Sequence, residues 1–297
     1  MELAIQQTHK IKIKMAEFSF LEFSYDPSVT ATEDITDYLT KLGFIHRSQH
    51  KSEIVGFWNL KSCILLLRKT HDFNAGSITG IGFNGNENTI QELDCEFDPS
   101  SNLFVCNNEH GIKTYLLDEN QIHHFKPELS ETYRVIDHET KGLKHMEYIS
   151  GVRMEGYNDS IIEHYARLGF KYSDVSENYA KLICENNRFT IMLDKRKNTN
   201  EIKTVICDTH DVFDATAYFT SQNIKLKRFN HNVHQNFGTK LNYKIRAYNC
   251  RAWGNEKSYT IENFIYGVAP GLDIIYRQRN QYLHIQETTL ESYYATN

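Results

Sequence analysis

Proline, tryptophan and glycine are scarce in this chain of 297 residues, at 4, 2 and 15 respectively, which excludes collagen-like and Pro/Gly-rich low-complexity classes. No run of five or six like charges occurs, and 33 Lys and Arg against 38 Asp and Glu leave a formal net charge of −5. The electrostatic footprint of a phosphate-backbone binder is therefore missing, and nucleic acid is not an expected partner. The longest apolar stretch lies around Cys63 to Leu67, far short of the ~20 residues that span a bilayer, so no membrane association is expected. The start has no secretory n-region and h-region, and the six cysteines (Cys63, Cys95, Cys106, Cys184, Cys207 and Cys250) are scattered with no C-x-x-C pair. They read as buried free thiols in a reducing cytoplasm rather than as a disulfide framework or a zinc ribbon. Residues 1–15 carry no clear period and read as a leader, either disordered or an over-long start ahead of Met15.

What is present is an ordinary globular composition, 40% hydrophobic and 24% charged, long enough for two domains each with its own core. An internal repeat organises it. The segment Leu42 to Lys69 lies over Leu168 to Lys195 without a gap; both open with Leu-Gly-Phe (Leu42-Gly43-Phe44 and Leu168-Gly169-Phe170) and close with an apolar run ending in Lys. Identities between the ends are few. Ahead of each Leu-Gly-Phe runs a helical pattern, Ile35, Tyr38, Leu39 and Leu42 in one copy and Ile161, Ile162, Tyr165 and Leu168 in the other, each stopped by the Gly as a left-handed C-cap. Further upstream, Phe20-Leu21-Glu22-Phe23 is matched with His145-Met146-Glu147-Tyr148, which sets His145 opposite Phe20 and Glu147 opposite Glu22.

The first copy predicts a strand at Phe18 to Tyr25, a helix at Glu33 to Leu42, and strands at His46 to His50, Ile54 to Trp58 and Cys63 to Arg68. A weaker unit follows each copy. In the second half it comprises the strand Ile202 to Cys207, the helix Val212 to Ser221, and strands at Lys225 to Phe229, Tyr243 to Tyr248, Thr260 to Tyr266 and Leu272 to Arg277. In the first half the unit after Ser77 is abbreviated, and Gly76, Gly80, Gly82 and Gly85 weaken its strand. The fold class is α+β: four tandem βαβββ modules in two pairs, each pair forming a cup-shaped mixed sheet with helices outside. The polar stretch Glu119 to Lys141 separates a domain over 16–140 from one over 141–297, and each cup is a natural pocket for a small molecule.

The stretch Phe18-Ser19-Phe20-Leu21-Glu22-Phe23, then Leu42-Gly43-Phe44, then Gln49-His50-Lys51-Ser52 through Trp58 to the run Ile64 to Leu67 resembles the N-terminal half of 4-hydroxyphenylpyruvate dioxygenases. Those enzymes are members of the vicinal oxygen chelate superfamily, with glyoxalases and extradiol dioxygenases. The resemblance covers roughly 17–280 and implies a structural N-terminal half and an iron site in the C-terminal cup. There a 2-His-1-carboxylate facial triad leaves positions open for a 2-oxo acid and dioxygen. His145 stands where the resemblance implies the first His, Thr204 where it implies the second, and Asp273 where it implies Glu. The expected metal ligands are therefore His145 and Asp273, holding Fe(II) or another divalent metal, with a third ligand such as His210 or water. Thr204, Tyr243 and Tyr266 are the expected ligand-binding residues. Thr is a poor ligand beside imidazole, and an Asp carboxylate falls short of a Glu position by more than ~1 Å. No cofactor at all, in a metal-free binding or sequestering protein with the same cup, is the alternative.

The remaining patterns carry less. His145 reads equally as a core His satisfied by a backbone carbonyl, and Asp273 as an edge residue paired with Arg277 or Arg279. Glu22 and Glu147 read as a shared structural feature. His231 and His234 sit in a polar loop, and His123 and His124 point apart on extended backbone. No G-x-S-x-G elbow supports a nucleophilic serine, and Gly80 to Gly85 lacks the Lys and helix order of a phosphate loop. Exposed sheet edges allow a homodimer.

Overall fold

The computed structural model describes residues 17–44, 46–51, 54–58, 64–71, 76–85, 87–99, 101–106, 111–117, 148–184, 189–209, 212–224, 251–253, 260–269 and 272–278. The N-terminal half runs β1 (Glu17–Tyr25), α1 (Thr32–Lys41), β2 (His46–Lys51), β3 (Ile54–Trp58), β4 (Ile64–Lys69), β5 (Ser77–Asn84), α2 (Glu87–Glu92), β6 (Cys95–Asp98), β7 (Leu103–Cys106) and β8 (Lys113–Leu117). The C-terminal half runs β9 (Tyr148–Glu155), α3 (Asp159–Arg167), β10 (Lys171–Ser176), β11 (Tyr179–Ile183), β12 (Thr190–Asp194), β13 (Glu201–Asp208), α4 (Val212–Ser221), β14 (Arg251–Trp253), β15 (Thr260–Ala269) and β16 (Leu272–Gln278). This is a mixed sheet with few helices, an α+β arrangement. The strand path is β10-β11-β12-β9-β13-β5-β1-β4-β3-β2, with β6-β7-β8 branching from β5 and β14-β15-β16 from β13. The pairs β1–β4, β5–β8, β9–β12 and β13–β16 are parallel, the others antiparallel.

Local chemistry explains the helix ends. Gly43 (φ 100°) and Gly169 (φ 88°) both take the left-handed conformation, which only glycine adopts without a steric penalty. The following Phe44 and Phe170 then donate backbone bonds back to Leu39 and Tyr165, at 3.0 Å each. At the start of α3, the Asn158 side chain accepts from the backbone N–H of Ile161 at 2.8 Å, satisfying a donor with no partner inside the helix.

Alternation divides each strand between two faces. Leu21, Phe23 and Tyr25 on β1, Leu65 and Leu67 on β4, Val152 and Met154 on β9, and Ile191 and Leu193 on β12 pack with Ile35, Leu39, Ile161, Tyr165, Ala215 and Phe219 from the helices into one continuous core. The remaining side chains of those strands occupy the face away from the helices, here the far face. One backbone pairing, Ile202 with Ile78, links β13 to β5 across the halves. Aromatic packing does most of the joining: Phe18 stacks on Phe189 with ring centroids 3.8 Å apart, and Phe83 meets Phe170 edge-on at 5.6 Å. Beside them the buried pair Thr114 Oγ1 and His164 Nε2 is 2.8 Å apart.

Two sequence expectations change. β5 is a full strand, because its glycines accommodate aromatic rings: a Cβ on Gly82 would overlap the Phe20 ring, and one on Gly80 would overlap the Tyr115 ring. Cys95 and Cys106, expected as free thiols, face each other as register partners on β6 and β7 and form a disulfide. Their separation of 11 residues spans the turn of a hairpin, a juxtaposition that spacing alone does not reveal. Cys184 and Cys207 are buried, apart from that disulfide. The expected strands Lys225 to Phe229 and Tyr243 to Tyr248, and the boundary near 140, lie outside the described residues. Among the described residues no helix is long and apolar enough to cross a membrane.

Candidate functional site

The far faces of the two halves differ in what fills them. In the N-terminal half, Phe20, Leu66, Leu103, Tyr115 and Leu117 form a buried cluster of their own, each no more than 2% exposed. Among them lies the buried carboxylate of Glu22. Arg68 Nε donates to Glu22 Oε2 at 2.8 Å, Thr79 Oγ1 donates to Oε1 at 2.9 Å, and Tyr115 Oη lies 3.2 Å from both oxygens. A buried charge is tolerable only when paired and hydrogen-bonded, and Glu22 is both. Burial, together with the neighbouring Glu22 carboxylate, pushes the Tyr115 phenol well above its ordinary range, so it stays a donor. This face is packed shut, which agrees with a structural role for Glu22.

The C-terminal half has a smaller apolar patch, Ile206 and Ile275 with Met192 against them, surrounded by polar groups. Thr204 and Asp273 are direct register partners on the parallel pair β13–β16, both half-buried. The two residues that the sequence singled out there are thus side by side. On the other side of Thr204, its register partner on β9 is Arg153. Ser150 Oγ donates to Asp208 Oδ1 at 2.5 Å near the end of the same strand pair. Tyr266 lies on β15, while His145, His210 and Tyr243 lie outside the described residues.

Arg153, Tyr179, Asp194 and Arg196 make a charged cluster that the sequence reading missed. Arg153 Nη2 donates to Asp194 Oδ2 at 2.7 Å and to Tyr179 Oη at 3.0 Å. Arg196 Nε and Nη2 donate to the two oxygens of Asp194 at 2.9 and 2.8 Å, and Arg196 Nη2 also bonds Tyr179 Oη. Both guanidiniums lie over the Tyr179 ring, at 5.2 and 4.8 Å from its centroid. The Arg196 and Arg153 donors hold the Asp194 carboxyl well below the usual carboxylate range. One signal was available along the chain: the gapless overlay places Asp194 opposite Arg68, an inversion of charge at the end of an apolar run.

Strand register gives its own correspondence between β1 and β9. Phe20 pairs with Ile64 and Gly151 pairs with Thr190, and the overlay matches Ile64 with Thr190. The counterpart of Phe20 on β9 is therefore Gly151, six positions beyond His145. A Cβ at Gly151 would overlap the Thr190 carbonyl oxygen, so no side chain fits there. Thr204 is neutral, and the cation Arg153 stands on the same face. Among the described residues no group of three His, Cys, Asp or Glu side chains could hold a metal ion. Around Asp273 the described residues supply the neutral Thr204 and, across it, the cation Arg153, while the other expected ligands, His145 and His210, lie outside the described residues.

No protein-family model matches the chain, and no curated protein matches its sequence. Solved structures do. A xylose isomerase-like TIM barrel/4-hydroxyphenylpyruvate dioxygenase fusion protein superimposes with a TM-score of 0.68 at 13% identity, over 90% of this chain and 49% of that one. This chain therefore spans about half the length of the fusion protein. A triple mutant of 4-hydroxymandelate synthase from Streptomyces coelicolor gives a TM-score of 0.60 at 10% identity, covering 90% of this chain and 93% of the other. Catechol 2,3-dioxygenase gives 0.55 at 11% identity, covering 90% and 88%. At such identities the likeness is one of fold, and the fold it supports is that of the vicinal oxygen chelate proteins.

Proposed function

We propose that the chain is a small-molecule-binding protein made of four βαβββ modules in two pairs, and that its C-terminal cup takes its ligand without a catalytic metal. The modular reading rests on the recurrence of one strand, one helix and three strands in the element order, and on the likeness in fold to the dioxygenases. Fold does not determine chemistry, which depends on the site. The observation that carries the metal-free reading is the neutral Thr204 as register partner of Asp273, with the cation Arg153 across from it, while Gly151 on the first strand of this half is closed by the Thr190 carbonyl. With Thr204 beside it, Asp273 alone of these three positions carries a ligand charge. The N-terminal far face, filled by its own apolar cluster, leaves the C-terminal one as the site.

The half-buried carboxylate of Asp273 beside Ile275 favours a second reading, a metal-dependent dioxygenase with His145 and Asp273 as ligands. The test is the metal content of protein purified without chelator, followed by Fe(II), Mn(II) and Zn(II) titration of wild type and His145→Ala. Alongside, thermal-shift screening of small aromatic and aliphatic ligands is run with and without EDTA. Ligand-induced stabilisation that survives EDTA, with no stoichiometric metal, is the expected result. Near-stoichiometric metal lost in His145→Ala overturns it in favour of the dioxygenase.

A further inference from the structure

We propose that the far face of the C-terminal half contains a carboxylate subsite built on Arg153 and Arg196. It would take the acid group of a small organic acid whose apolar part lies on Met192, Ile206 and Ile275. The proposal rests on the reading of this cup as a ligand site and names the ligand's chemical class.

The N-terminal half supplies the comparison. Glu22 stands opposite Leu66 on the neighbouring parallel strand and pairs with Arg68, two residues on. Arg153 stands opposite Met192 and pairs with Asp194, again two residues on. The overlay matches Leu66 with Met192 and Arg68 with Asp194, so the same two places hold an ion pair of opposite polarity. In the N-terminal half the pair is one carboxylate and one guanidinium, sealed under aromatic rings, with the carboxylate hydrogen-bonded by three side chains. In the C-terminal half two guanidiniums share one carboxylate, and a positive charge is left over.

A donor is left over as well. Arg153 Nε is buried and has no hydrogen-bond acceptor among the described residues. A buried donor without a partner carries a desolvation cost that an incoming acceptor relieves, and a guanidinium is shaped for a carboxylate. Arg196 is 51% exposed, so the cluster is reachable from solvent on that side. The apolar floor adjoins it directly: Met192 is the register partner of Arg153 on one side, and Ile206 is the partner of Gly151 on the other.

The other charges on this face fit a single negative charge. Lys181 is the second register partner of Met192 and adds a cation. Glu155 lies two residues beyond Arg153 on β9, and Asp273 is separated from Arg153 by the whole of β13. With Glu201, the register partner of Glu155, and Asp208 on β13 also on this face, a phosphate of charge near −2 would meet more uncompensated acid than a single carboxylate does.

The test is isothermal titration with benzoate, phenylacetate and hexanoate, with the matching amides, and with inorganic phosphate. It uses wild type, Arg196→Gln and Arg153→Gln. The wild type is expected to bind at least one acid about tenfold tighter than its amide, a difference of one charge-assisted contact. Arg196→Gln and Arg153→Gln should bring that ratio towards one by weakening the acid more than its amide. Because Arg153→Gln weakens the support of Asp194 and could compromise folding, the half-exposed Arg196 provides the variant that keeps the fold. Equal binding of acid and amide overturns the subsite and leaves the pocket standing. Phosphate binding tighter than every carboxylate overturns the carboxylate assignment. Failure of acids and amides alike to bind overturns the subsite together with the pocket.

Discussion

Arg153 occupies in the C-terminal half the register position that Glu22 occupies in the N-terminal half, and each makes its ion pair with the residue two places beyond its partner on the adjacent parallel strand. The inversion changes what each face can do. Glu22 is 2% exposed and fully hydrogen-bonded, so it fastens β1 to β4, β5 and β8. Arg153 keeps an unspent donor beside a half-exposed second arginine.

Removing one member of the Glu22 pair should therefore cost more than removing both. Arg68→Met leaves a buried carboxylate with hydroxyl donors only, and we expect a loss of about 3 kcal/mol in urea unfolding. Glu22→Leu combined with Arg68→Met should recover most of that loss, since replacing a buried pair with apolar groups is often close to neutral. A double variant no better than the single one would show that the pair contributes by packing rather than by charge.

Gly82 is required by the Phe20 ring that rests on it. Gly82→Ala should destabilise by roughly 1–3 kcal/mol through overpacking, and Phe20→Leu in the same chain should restore part of it. The check is the chemical-denaturation midpoint of the two variants and of Phe20→Leu alone; additive losses would rule the contact out as the cause.

The Cys95–Cys106 bond closes a loop of 11 residues' separation. Loop-closure entropy assigns such a cross-link about 3 kcal/mol of stability. Oxidised protein should lose Tm on treatment with a phosphine reductant, and the Cys95→Ser, Cys106→Ser double variant should match the reduced wild type and no longer respond. Unchanged melting on reduction, with all six cysteines alkylated before treatment, would show that the pair is dithiol in solution.

Asp194 sets an acid limit. Hydrogen bonds from Arg196 and Arg153 depress its folded pKa, so its contribution is complete above the ordinary carboxylate pKa of about 4. That contribution is lost as the pH falls towards the depressed folded value. Stability of wild type should decline from about pH 4 downward, and Asp194→Asn should be less stable at neutral pH with a flatter acid limb. Parallel stability–pH curves for the two proteins would exclude Asp194 as a contributor.

Much of the architecture was legible along the chain because its signals are local. Leu-Gly-Phe marks a helix stop wherever it occurs, and both glycines adopt the left-handed conformation at the helix end. Alternation and apolar runs placed β1, β2, β3, β4, β13 and β16 within a residue or two, and α4 falls on Val212–Ser221 as expected. The alignment ahead of the helices failed for a physical reason. Twenty positions separate Glu22 from Leu42, but fifteen separate Arg153 from Leu168, mostly because the connection between β1 and α1 is three residues longer than that between β9 and α3 (26–31 against 156–158), with one further residue each in β1 and α1. A connection carries no period, so its length difference is invisible until the strands on either side are paired. Matching Phe20 with His145 instead of Gly151 is the consequence.

The candidate site divides along the same line. Thr204 and Asp273 were picked out by the resemblance to the dioxygenases, and they prove to be neighbours on β13 and β16. Arg153, Asp194 and Arg196 belong to segments that look like ordinary solvent-facing charge. Their meeting over Tyr179 depends on the register of β9 against β12 and of β12 against β11. Periodicity and capping are properties of a few consecutive residues, so the chain alone decides where strands and helices form. Which charges face one another is set by hydrogen bonding between strands distant in sequence, where a slip of one residue moves every side chain to the other face, and that was decided only by the folded sheet.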